Sequence, residues 1–227
     1  MTDRTARPLR VRVWDLPTRL THWAIVILFA TCWLTAETDH MKWHRIAGYG
    51  VLCAVCFRLL WGFCGAETAR FSHFVRGPAG VLRYVRKLFK PDGAASSVTV
   101  GHNPLGALSI LVMLALLLTQ TIFGLFAVDV DGIASGPLSR WVSFETARRF
   151  AHWHAANFNL LLIMIGVHLS AISFYRFVRH ERLVPAMIHG FKSGVPTQKA
   201  PYFVSYWRAA LLAAVIVAMV IALVNVR

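Results

Sequence analysis

His154 and His168 lie 14 residues apart within one apolar stretch, Phe150 to Val178. On an α-helix, at about 100° per residue, that spacing returns both imidazoles to one face within about 40° and separates them by roughly 21 Å along the axis. His152 falls about 160° round from His168, on the opposite side. Two imidazoles on one face at two depths suit two separate metal centres rather than one. An ionisable side chain in so apolar a stretch is costly, faces the interior of a helix bundle and marks function by default.

His22 opens the first apolar stretch of the chain and His44 the second. Successive spans run in opposite directions, so these two histidines start from opposite sides of a membrane. His22 comes level with His168, and His44 comes level with His154. Two level pairs of imidazoles on facing helices offer the axial nitrogens for two six-coordinate haem irons, pairs His22/His168 and His44/His154. Zinc fits less well, because ligands roughly 20 Å apart cannot share an ion and a two-histidine site lacks the further ligands zinc prefers. Taken singly, each histidine is explained by an interhelical hydrogen bond, and the chain would then be a haem-free transporter or scaffold. Four histidines in two matched layers favour haem. Trp23, Trp43, Tyr49 and Trp153 stand near the proposed ligands, although aromatic rings also populate membrane interfaces. Gly48, one turn from His44, lets a macrocycle approach the backbone. His40, His73, His102, His180 and His189 fall in connections. Cys53 and Cys56 have the spacing of a metal pair, but Phe57 follows where covalent haem attachment needs histidine, and a cysteine in an apolar run behaves as a small hydrophobe.

These histidines need helices of membrane length to hold them, and the composition supplies such helices. The 227 residues are 57% hydrophobic and 15% charged, with a mean hydropathy of +0.56, a balance too apolar for a soluble domain of this size. A hydrocarbon core of about 30 Å asks for roughly 20 apolar residues per helix. Five stretches approach that length: Leu20–Ala36, Trp43–Cys64, Leu105–Val128, Phe150–Val178 and Ala209–Val226. The first is preceded by arginines, as a secretory leader is, but the next apolar run begins within a few residues, so it is read as a span. The net charge of +14 would suggest nucleic acid in a soluble protein, yet its distribution answers otherwise. With the N-terminus inside, residues 1–20, 66–103 and 176–208 hold 17 of the 24 Lys and Arg. That is the positive-inside bias of a membrane protein, and no nucleic-acid partner is expected.

The expected fold is all-α: a polytopic membrane helix bundle with a four-helix haem-binding core and one additional C-terminal transmembrane helix. Residues 1–19 form a cytoplasmic segment, 20–178 the four-helix membrane domain, 179–208 a cytoplasmic linker with Pro185 and Pro196, and 209–227 the fifth helix, ending outside. The inner connection from Ala66 to Asn103 is broken at Gly77-Pro78 and at Pro91-Asp92-Gly93. Between the breaks, Val81–Phe89 alternates basic and apolar residues as a surface amphipathic segment does, or else is a solvated linker; Gly93–Ser97 is a short low-complexity tract. Asn103-Pro104 has the form of a cap and first turn for the third long helix.

Several ordered motifs resemble one family. Trp14-Asp15-Leu16-Pro17-Thr18-Arg19-Leu20-Thr21-His22-Trp23, the His44-x-x-x-Gly48-Tyr49 step, and Arg58-Leu59-Leu60-Trp61-Gly62-Phe63 are similar to the bacterial cytochrome b561 and nickel-iron hydrogenase b-type cytochrome family. Ala69-Arg70-Phe71, Gly101-His102-Asn103-Pro104-Leu105-Gly106-Ala107-Leu108, the His154…Asn157…His168 stretch and Leu183–Lys192 extend the resemblance over about residues 12–192. The resemblance implies two haem b groups with His22, His44, His154 and His168 as axial ligands, and quinone-linked electron transfer in the bacterial inner membrane. Ubiquinone or menaquinone would be one partner, and a periplasmic c-type cytochrome or similar redox protein the other. A membrane anchor for a hydrogenase-like enzyme, or a superoxide:quinone oxidoreductase, are the alternatives within that family. The helix after Ala209 departs from its compact members. Arg19, at the inner layer, and Arg45, Arg148 or Arg149, at the outer one, are candidate partners for haem propionates, or else anchors for lipid headgroups.

Overall fold

The computed structural model describes residues 10–75, 77–88, 103–193 and 201–225. His102, Phe89, the Pro91-Asp92-Gly93 break, the Gly93–Ser97 tract and Pro196 lie outside those residues. Among the described residues there are eight α-helices: α1 (Leu16–Glu37), α2 (Met41–Cys64), α3 (Phe71–Phe74), α4 (Pro78–Leu88), α5 (Pro104–Phe126), α6 (Phe144–Phe177), α7 (Leu183–His189) and α8 (Tyr206–Val224). Five of them, α1, α2, α5, α6 and α8, are long and apolar enough to cross a membrane. The chain is an all-α polytopic bundle, as its composition implies.

The caps show why the helices start where they do. Asp15 precedes α1, accepts a hydrogen bond from Thr18 N at 3.1 Å and is followed by Pro17 in the first turn, so an otherwise free amide is satisfied and φ is preset. Asn103 does the same for α5 through Gly106 N at 2.7 Å, with Pro104 in its first turn. Ser143 caps α6 through Thr146 N at 3.3 Å, with Glu145 in the first turn where the helix dipole favours an acid. That cap starts α6 six residues before its apolar run, at Phe144 rather than Phe150, and lengthens it to 34 residues. The segment between the two breaks of the long connection is helical as α4.

α2 is the hub. It packs against α1, α5 and α8, and α5 packs against α6. Towards the middle of the bundle, Val51 and Val55 meet Leu117 of α5 and Leu161 of α6, all buried. On its other side, Leu52, Phe57 and Trp61 belong to a cluster with Ile216 and Val220 of α8. Hence α1, α2, α5 and α6 surround the histidines, while α8 covers the back of α2. α1 reaches α6 through rings: Phe158 stacks on Phe29 at 5.7 Å and meets Trp33 edge-on at 5.7 Å. Large apolar side chains such as Leu20, Phe63, Ile163 and Met219 point outward, the surface that lipid covers.

Short elements brace the end of the bundle where α1 begins. Strand β1 (Arg10–Arg12) pairs antiparallel with β2 (Phe191–Ser193), joining the segment before α1 to the linker after α6. Gly190 ends α7 with φ +89, the left-handed conformation that favours glycine. Its carbonyl accepts from Val13 N at 2.8 Å and Trp14 N at 3.2 Å, and a Cβ there would stand 2.8 Å from Trp14 O. At the opposite end the connection from α5 to α6 folds into a tight cap. Gly136 N donates to Ala127 O at 2.8 Å, Leu138 N to Leu125 O at 2.9 Å, and a Cβ on Gly136 would sit 2.3 Å from Gly124 O.

Candidate functional site

Four helices bring the sequence-derived histidines into two layers. At the end where α2 begins, His44 of α2 and His154 of α6 face each other with ring centroids 6.0 Å apart and planes 74° apart. Each ring is held from behind by a helix other than its own. His44 Nδ1 donates to Cys32 O of α1 at 2.9 Å, and His154 Nδ1 donates to Gln120 O of α5 at 2.9 Å. A carbonyl only accepts, so Nδ1 carries the proton in both rings and Nε2 keeps its lone pair. Such a backing hydrogen bond is what orients a metal-ligating imidazole and fixes its tautomer. Two imidazoles on opposite sides of one metal ion are separated by two metal–nitrogen bonds of roughly 2 Å each plus the half-width of each ring, which the 6.0 Å separation accommodates.

The neighbours of this pair are small or locked. Gly124 of α5 lies against His154, where an added Cβ would meet Cε1 at 3.1 Å and Nδ1 at 3.3 Å. Gly48, one turn along α2 from His44, faces open space. Asn157, one turn from His154 and buried, donates through Nδ2 to Leu116 O at 3.0 Å and Gln120 Oε1 at 2.6 Å. These bonds fix the rotation of α6 against α5, and with it the direction of the His154 ring. His152 is exposed while His154 is half-buried, in line with the helical phase.

The other layer is built differently. His22 of α1 and His168 of α6 are close enough to act on each other electrostatically. Here no carbonyl backs the ring of α1: His22 Nδ1 is buried with no hydrogen-bond partner. Trp23 packs edge-on to His22 with centroids 5.1 Å apart and donates to Met187 O of α7 at 3.3 Å. Arg19 donates through Nη1 to Ile188 O, and its Nε is buried without a partner. His22 Nδ1 thus lacks the backing that His44 and His154 have, and what this layer offers a haem is a second pair of neighbouring imidazoles.

The remaining candidates have local partners. Arg45 donates to Ser135 O at 3.1 Å and Arg148 to Val128 O at 3.4 Å, so both hold the connection between α5 and α6. Arg149 pairs with Glu145 at 2.5 Å on an exposed face. His40 bonds Thr38 O at 2.7 Å, His73 pairs with Glu67 at 3.2 Å, and His189 accepts from Phe191 N at 3.3 Å. Cys53 and Cys56 are free thiols packed on the cluster between α2 and α8.

One group was missed from the sequence. Asp15, 2% exposed, caps α1 and also accepts from Trp61 Nε1 of α2 at 2.7 Å. Arg58, 7% exposed and over the Phe71 ring at 5.2 Å, is near enough to Asp15 to act on it electrostatically. The signal was a lone arginine in an apolar run together with an acid ahead of Pro17, but only the fold brings the two together.

The family profile described as prokaryotic cytochrome b561 matches residues 13–190. The chain belongs to that family. A protein of Azotobacter chroococcum mcd 1 named "Probable Ni/Fe-hydrogenase B-type cytochrome subunit" is 23% identical over 224 residues, which is 84% of this chain and 91% of that protein. As a cytochrome b561 the chain is a multi-pass membrane b-type cytochrome that carries electrons and binds haem b. The match takes in all four histidines and stops before α8.

Proposed function

We propose that this cytochrome b561 transfers electrons between the quinone pool, ubiquinone or menaquinone, and a redox partner at the opposite membrane face, using two haem b sites. His44 and His154 hold one haem and His22 and His168 the other. The observation that carries this reading is the facing His44–His154 pair, centroids 6.0 Å apart, with both Nδ1 atoms committed to carbonyls. Haem b, when bound, supplies reversible one-electron chemistry that amino acids lack. The protein's part is position. His154 and His168 share α6 about 21 Å apart along the axis, so a donor and an acceptor at opposite faces of a ~30 Å core each find a site near their own side. Phe29 and Phe158 stack between α1 and α6, and Trp33 meets Phe158 edge-on at the His44 end.

The charge distribution supports a bacterial inner-membrane setting with the N-terminus, α4 and α7 on the cytoplasmic side, the His44 layer near the periplasm and the C-terminus outside. A periplasmic c-type cytochrome is then the natural acceptor, and 20–178 is the haem domain with α8 a separate addition. Stopped-flow mixing with a quinol analogue tests the function: both haems are reduced, and a small c-type cytochrome reoxidises them. Haems that no quinol analogue reduces contradict the quinone-linked role. A second reading, a membrane anchor for a hydrogenase-like enzyme, is favoured by the name of the Azotobacter protein. It requires the chain to co-purify from native membranes with a peripheral enzyme.

A further inference from the structure

Arg58 is a full charge inside a membrane span, and its guanidinium is only partly satisfied. Its side chain is 7% exposed, and Nη1 is buried without a hydrogen bond. Among the described residues no carboxylate forms an ion pair with it. Asp15 is near enough to act on it electrostatically and also accepts from Thr18 N through Oδ1 and from Trp61 Nε1 through Oδ2, yet Arg58 Nη1 has no acceptor. The Phe71 ring at 5.2 Å contributes a cation–π contact, which is weak beside the cost of desolvating a guanidinium. Asp15 offsets the charge, but a buried guanidinium nitrogen without a hydrogen bond calls for a further acceptor.

The depth of that acceptor follows from the helices. Arg58 lies 14 residues beyond His44 on α2, the same spacing that separates His154 from His168 on α6, so it faces the bundle interior about 21 Å deeper, at the His22 layer. Thr18 stands one turn before His22 on the same face of α1, and its Oγ1 is likewise buried and unpartnered. A guanidinium nitrogen and a hydroxyl, both buried without partners, thus lie within about two turns of the His22 level on facing helices.

We infer that Arg58, helped by Thr18, binds a propionate carboxylate of the haem held by His22 and His168. The inference rests on the two-haem reading. A guanidinium presents a planar fork that matches a carboxylate, and haem b carries its carboxylates on one edge of the macrocycle. In the holoprotein the pair gives Arg58 Nη1 its acceptor and holds the macrocycle against rotation in its pocket. Neutralising one propionate cancels a negative charge beside the iron, which favours the reduced state.

The test is redox titration and resonance Raman spectroscopy of the purified holoprotein, wild type against Arg58→Gln and Arg58→Lys. In Arg58→Gln the midpoint potential of one haem falls and its propionate bending mode shifts, while the other haem keeps both. In Arg58→Lys, which retains the charge without the fork, the potential stays near wild type and the propionate mode shifts; this variant carries the test if Arg58→Gln does not accumulate. Two bound haems with unmoved potentials and unmoved propionate modes overturn the inference and leave the two-haem assignment and quinol reduction standing. So does an equal change at both haems, which marks a general loss of structure. Loss of a co-purifying phospholipid with unchanged haem spectra also overturns it, because the anion is then a lipid phosphate.

Discussion

The two histidine layers differ in how much of each the polypeptide builds by itself. At the His44 layer both rings are backed by carbonyls of neighbouring helices, Cys32 O and Gln120 O, each at 2.9 Å, and the Asn157 amide locks α6 to α5 one turn away. At the His22 layer the imidazole nitrogen, the Thr18 hydroxyl and an Arg58 nitrogen are buried without partners. The same sequence cue, a histidine on each of two facing helices, therefore supports two kinds of pocket. One is held in shape by protein hydrogen bonds, and the other contains buried polar groups that the chain leaves unpaired. A preorganised layer is expected to resist local change until a ligand or its backing is removed, whereas the second should respond to any change in its polar lining.

The largest expected effect breaks the first layer outright. If His44 and His154 hold one of two haems as proposed, His154→Ala removes one of the two nitrogens offered to it, and the haem content of the purified protein falls by half in a pyridine haemochromogen assay. His152→Ala, on the exposed face of α6, keeps the full content. Equal loss in the two variants would mean that helical phase does not select the ligand.

A smaller change sharpens the comparison. A Cβ at Gly124 would press on His154 Cε1 at 3.1 Å, so Gly124→Ala asks the ring to give by a few tenths of an ångström and Gly124→Val by more. Electron paramagnetic resonance of the oxidised protein is expected to show one low-spin signal displaced, more in Val than in Ala, with the second unchanged. Movement of both signals would show that the layers are not independent.

How much of this was legible in the sequence depends on the range of the interaction. The spans follow from runs of apolar residues, and helical phase with alternating span direction brings His44 opposite His154. α6 starts six residues ahead of its apolar run because such a run reports burial in lipid, whereas the helix begins at its cap, Ser143. Neither the pairing of β1 with β2 nor the Asp15–Trp61 bond had a local signal, since three-residue strands carry no period and partners 46 residues apart leave no pattern. The carbonyl backing of His44 and His154 was equally invisible, because a backbone acceptor has no residue type.

Trp61→Phe probes the brace beneath the second layer with a more modest effect. It removes the 2.7 Å donor to buried Asp15, at a cost of about 1.5–3 kcal/mol for a hydrogen bond to a charged group. Chemical denaturation in detergent should show a lower unfolding midpoint with both haems still bound. An unchanged midpoint would show that the Asp15 cap stands without α2.

The smallest effect concerns partner docking at the His44 end. Glu37, Asp39, Asp129, Asp131 and Glu145 there are balanced by Lys42, Arg45, Arg140, Arg148 and Arg149. Strong electrostatic steering changes association rates by 10–10³-fold, but here the reoxidation rate with a soluble acceptor should vary less than about tenfold with ionic strength. A steeper dependence would point to a docking surface at the basic, His22 end.

The most direct test of the account is the number of haems per chain, measured as haem-to-protein ratio together with a potentiometric titration of the purified cytochrome. Two non-covalent haem b groups, both low-spin with two imidazole ligands and titrating as two one-electron components, are the expected result. A ratio of one or none would contradict the pairing of His22 with His168 and His44 with His154.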